Sequence, residues 1–126
     1  MIAMLLALLV AAPPAFSPEV RAEVAALLGV IDRPVSPESF RRFGAEGEAA
    51  LADIALSRDM PPRRSRALEV LAALRSPGAE EVHRTVASSP DAPPTTRRTA
   101  VLGLGRLLPK ARAPGALRPF LERDRD

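Results

Sequence analysis

From Ser17 onward the apolar positions recur at helical spacing. Val24, Leu27, Leu28 and Ile31 lie 4, 7, 8 and 11 residues after Val20, which is one face of an α-helix. Ser17-Pro18-Glu19 opens this stripe, Ser36-Pro37-Glu38 repeats the signal, and Ser76-Pro77 repeats its first two residues. The serine can accept a bond from an orphan backbone N–H, the proline presets φ in the first turn, and the glutamate complements the positive helix end. Shorter amphipathic segments follow: 47–57 with Leu51, Ile54 and Ala55; 78–88 with Ala79, Val82 and Val86; 114–122 with Leu117, Phe120 and Leu121. Sustained period-2 alternation and Asn-Gly or Asp-Gly turns are missing from the sequence, so the pattern predicts an all-α chain.

Three of the helices share one pattern. The copies are Pro18, Arg21, Val24, Ala25, Leu28, Gly29, Ile31; then Pro61, Arg64, Ala67, Leu68, Leu71, Ala72, Leu74; then Pro94, Arg97, Ala100, Val101, Leu104, Gly105, Leu107. They begin 43 and 33 residues apart. Proline opens each helix where its missing N–H does no harm. The aliphatic positions form the stripe to be buried, with Leu28, Leu71 and Leu104 at its centre. Gly29, Ala72 and Gly105 are expected to clear space for a closely passing helix, since glycine costs roughly 1 kcal/mol against alanine inside a helix. Each long helix followed by a shorter one makes a helical hairpin, with linkers at 58–60 and 88–93 and a turn at 109–113. The longer first repeat carries extra residues at 32–44, including Phe40 and Phe43, which read as a short additional helix.

The Pro-x-x-Arg-x-x-Ala-(Leu/Val)-x-x-Leu-(Ala/Gly)-x-Leu copies at 61–74 and 94–107, with the looser copy at 18–31, resemble the HEAT-repeat superfamily of α-solenoids, in particular the short bacterial type seen in phycobilin lyase subunits. The resemblance spans about 17–126. It implies a HEAT-like α-solenoid of about three hairpins (17–57, 61–88, 94–126), with the second helices lining a concave surface that binds proteins. The loop acids Asp59 and Asp91 stand at unequal distances from Arg64 and Arg97, which argues against a uniform Asp–Arg ladder. Each repeat buries its apolar face only against neighbours. The third repeat has no polar cap, so it is expected to fray, self-associate or dock on something.

Residues 1–12 (MIAMLLALLVAA) are uninterrupted apolar, and the first charge is Glu19. Twelve residues fall short of the roughly 20 that span a bilayer but suit the core of a secretory signal. Residues 1–16 therefore read as a signal-like apolar helix ahead of a periplasmic or secreted domain, or as an uncleaved N-terminal membrane anchor. Contact with membrane is expected only through these residues.

Composition narrows the chemistry. The 126 residues hold no Cys and one His, which excludes disulfides, thiol catalysis and paired-histidine metal sites. Residues 1–62 carry five Arg and eight acids, while 63–126 carry thirteen basic and seven acidic groups. A basic half suggests nucleic acid, but seventeen of the eighteen basic residues are Arg and no aromatic residues interleave them, so nucleic acid is not the expected partner. Gly103-Leu104-Gly105 lies inside a helical pattern without a preceding strand, so it is not read as a phosphate-binding turn. No catalytic, cofactor-binding or metal-binding residues are expected. The candidate contacts are His83, Arg84 and Arg118, read as surface residues of the second helices, His83 on the rim. The expectation is a non-catalytic protein–protein scaffold. The alternatives are an accessory of a lyase-like pigment or prosthetic-group attachment system, implied by the resemblance alone, and a basic-surface nucleic-acid binder.

Overall fold

The first helix starts where the serine signal places it. In the computed structural model, which describes residues 16–30 and 33–123, the Ser17 hydroxyl accepts from the Val20 N–H at 3.1 Å and Pro18 occupies the first turn. Helix α1 runs Pro18–Leu28 and closes on Gly29, whose N–H donates to the carbonyls of Ala25 and Ala26. Then come a 3-10 helix, Pro37–Phe43, and α2, Gly44–Leu56. The remaining helices are α3 (Pro61–Leu74), α4 (Ala79–Ser88), α5 (Pro94–Leu107) and α6 (Ala113–Arg123). Among the described residues there are helices and no strands. The apolar run 1–12 and Ile31 lie outside the described residues.

The other two serine signals work differently from Ser17. Ser36 makes no side-chain cap bond, and the segment it precedes is a 3-10 helix that buries Phe40. Ser76 does not cap α4. Arg75 and Gly78 both take left-handed backbone conformations, and the chain turns through them before α4 begins at Ala79. Gly44, at φ +57°, lets the chain pass from the 3-10 helix into α2.

The helices pack in two rows. In the first, α3 touches both α1 and α5; in the second, α2 touches α4. Each second helix also packs on the first helix of the following hairpin, α2 on α3 and α4 on α5, while α6 packs on α5. The predicted stripe is the shared interior. Leu28 and Leu104 are fully buried and Leu71 is 2% exposed, all within one apolar cluster that extends from Val24 to Leu108. Such burial stabilises by roughly 1.5–3 kcal/mol per large aliphatic side chain.

Arginines join the hairpins through helix ends. Arg64 Nε, 7% exposed, donates to the Ala55 carbonyl in the last turn of α2 at 3.1 Å. Arg66 donates to the Leu28 carbonyl at 2.6 Å and to Val30 at 3.1 Å, beyond the end of α1. Arg75 donates to Arg106 near the end of α5 at 3.1 Å. Each guanidinium satisfies carbonyls that the helix leaves open and meets the negative end of its dipole. This explains why arginine is tolerated in the first turn of α3. Arg21, at the matching position of α1, instead pairs with Asp53 of α2 at 2.7 Å and Asp59 at 3.7 Å. Asp59 also pairs with Arg63, at 3.4 Å, and no ion pair joins it to Arg64. Arg97 is half-buried, with its Nε unbonded. The three equivalent arginines thus have three different fates.

Candidate functional site

Helix α2 is apolar on two faces. Gly47, Ala50, Leu51, Ile54 and Ala55 are buried in the core. Glu48, Ala49, Ala52 and Leu56, at offsets of one, four and eight, line a second face that no neighbour covers completely, and Leu56 is 47% exposed. Helix α4 has a similar division. Ala79, His83, Val86 and Ala87 are buried, while Glu81, Val82 and Thr85 turn toward the same opening. Together with Pro77 and Gly78 they form a groove of about 400 Å³ between the two second helices. Its floor is aliphatic. Glu48 and Glu81 stand at its edges without an ion-pair partner, whereas neighbouring Glu80 is engaged by Arg84 at 3.5 Å and by Arg112 at 3.8 Å. Such a groove suits bulky apolar side chains flanked by positive charge.

The candidate contacts foreseen from sequence do not form one patch. Arg84 is half-buried and tied to Glu80 along α4. Arg118 is exposed on α6. His83 is not a rim residue: it is completely buried. Its Nδ1 lies 2.7 Å from the Ala79 carbonyl, so Nδ1 must carry the donating hydrogen, and the opposite nitrogen, Nε2, is buried without a hydrogen-bond partner. The ring lies against Gly103 of α5, where an added Cβ would overlap it. Burial lowers the His83 pKa below the usual 6.5, with the backbone of Ala79 and Leu68 acting in the opposite sense. Burial thus favours the uncharged ring, which is sealed from solvent and packs at the α4–α5 contact.

The glycine expectation shifts with it. Gly29 and Gly105 are exposed, and a Cβ on Gly105 would meet Leu117 at an ordinary 3.6 Å. The close passage is at Gly103, two residues earlier. Among the described residues no group of three His, Asp or Glu side chains is placed to hold a metal ion, and no helix is long and apolar enough to cross a membrane. Sequence reading missed Leu56, Glu48 and Glu81 as site residues. The available signal was an aliphatic residue, Leu56, off the main stripe of an already apolar helix.

Comparison with known proteins finds no matching family model, no matching curated protein and no matching solved structure.

Proposed function

We propose that the chain is a non-catalytic protein-binding module, a short HEAT-like α-solenoid whose three hairpins stack so that the second helices α2 and α4 present the groove to a partner. The observation that carries this reading is the groove itself: an aliphatic channel with Leu56 half open to solvent and two unpaired glutamates, Glu48 and Glu81, at its edges. The two-row packing supports the solenoid part, because the first and second hairpins each find apolar cover on the one that follows. The partner segment would offer one or two bulky apolar side chains flanked by Arg or Lys. In the same proposal the module lies in the periplasm or outside the cell, or is anchored there by its N-terminus, a reading supported by the apolar run at 1–12.

Selection of a displayed random-peptide library against the protein tests the site. Enriched peptides should combine bulky apolar with basic residues. Leu56→Glu, and separately the pair Glu48→Lys and Glu81→Lys, should weaken them by about tenfold or more without loss of helicity. Selected peptides that bind these variants as well as the parent would place the binding face elsewhere.

A further inference from the structure

The third hairpin is charged with one sign only. Residues 92–121 hold five Arg and one Lys and no acidic residue. Arg98, Arg106, Lys110, Arg112 and Arg118 are exposed, and of these only Arg112 forms an ion pair, with Glu80 at 3.8 Å. Arg98, Leu102 and Arg106 follow one another at intervals of four, which is one stripe along the outside of α5. Leu102 is 71% exposed, the most open large apolar side chain among the described residues. A leucine thus projects between two guanidinium groups.

The repeat shows that the fold does not require this stripe. The same three positions are Ala22, Ala26 and Val30 in the first copy and Ser65, Glu69 and Ala73 in the second. None of the six is basic, and all but Ser65 are exposed. Packing therefore makes no demand for arginine or leucine there. A Cβ on Gly105 would meet Leu117 at 3.6 Å, so α6 borders α5 at this point and brings Arg118 and the exposed Leu121 beside it. One acid, Glu69 of α3, lines the cleft next to Leu102.

An anionic surface with an apolar layer beneath it satisfies both kinds of side chain. Nucleic acid would meet the cations but leave Leu102 and Leu121 in water, and no aromatic ring stands in the stripe to stack on a base. An anionic bilayer meets the cations with lipid phosphates and takes the leucines below the headgroups, while the arginine stems lie along the boundary. It also needs no matching pocket for a side chain that protrudes from the outside of a helix. We infer that the third hairpin docks on an anionic lipid bilayer through Arg98, Leu102 and Arg106, with Lys110, Arg118 and Leu121 alongside. The contact is additional to the one that the sequence pattern assigns to residues 1–16. It is also separate from the α2–α4 groove, so its failure would leave the partner-binding proposal untouched.

Co-sedimentation of the full chain with large unilamellar vesicles tests it, comparing phosphatidylcholine alone with phosphatidylcholine carrying about one-third phosphatidylglycerol. The run 1–12 has no charged side chain and is common to every variant, so the ratio of binding to the two vesicles reads the charge-dependent contact. The parent should bind the anionic vesicles at least about tenfold more strongly at low salt. Each cation held near such a surface contributes about fivefold, so Arg98→Glu combined with Arg106→Glu should cut the ratio by about tenfold or more. Arg41→Glu combined with Arg42→Glu, at exposed positions of the 3-10 helix, makes the same change of net charge and should leave the ratio within about threefold of the parent. Leu102→Ser should weaken binding to the anionic vesicles by about threefold or more with an unchanged circular-dichroism spectrum, because the side chain is exposed. A parent ratio near one, equal losses in the two double variants, a Leu102→Ser variant that binds like the parent, or tighter binding to duplex DNA than to the anionic vesicles at equal phosphate concentration would overturn the proposal.

Discussion

His83 illustrates how much a single residue can hide. From sequence it stands beside Val82 in a weak stripe, and a polar residue there reads as a rim. The buried set of α4 is Ala79, His83, Val86 and Ala87, spaced by four, seven and eight. That periodicity was visible in the sequence, but the space for the ring comes from Gly103 on another helix, which no local rule announces. Burying a neutral imidazole has a pH signature. The folded pKa is lowered from 6.5, so below that pH the unfolded chain takes up a proton that the folded chain resists. Stability is therefore full above about pH 6.5 and falls as pH drops below it, until the lowered folded value is passed. Thermal unfolding across this range should show the loss, and His83→Leu should abolish it, because the chain has no other histidine. A parent whose midpoint is flat through the range would mean that the ring is not held neutral. Arg64 shows the same lesson with an easier signal. Arginine in a first turn is electrostatically misplaced, and the bond to the Ala55 carbonyl offsets that.

At the scale of elements, the long helices and linkers were legible because proline, apolar spacing and turn residues agree there. Only α1 uses its serine cap as written; for α4 the left-handed turn at Arg75 and Gly78 overrides the signal at Ser76. The glycines divide in a testable way. Gly103→Ala would push a Cβ into the fully buried His83 ring, forcing α4 and α5 apart. Overpacking of this kind costs about 1–3 kcal/mol, more than or comparable to the roughly 1 kcal/mol that alanine gains over glycine in a helix. Gly105→Ala meets only Leu117 at van der Waals distance, so it should stabilise by up to about 1 kcal/mol. Urea unfolding of the two variants should give midpoints on opposite sides of one another, with Gly105→Ala the higher. The reverse order would show that α5 presents a different face to α4.

For the whole molecule, the repeated stripe, which the sequence shows three times, becomes one interior. The α2–α4 groove was less legible, because Leu56 lies off that stripe and the facing residues of α4 come from another hairpin. The groove proposal depends on the helices standing in two rows, and the rows depend on Leu28, Leu71 and Leu104 sharing a core. Equilibrium unfolding of Leu28→Ala, Leu71→Ala and Leu104→Ala, followed by far-ultraviolet circular dichroism, tests this directly. Each substitution should lower the stability of a helical protein by about 2–5 kcal/mol, the cost of a cavity in a packed interior. A midpoint left unmoved by any one of the three would mean that its helix stands apart from the common core, and the two-row arrangement would be wrong.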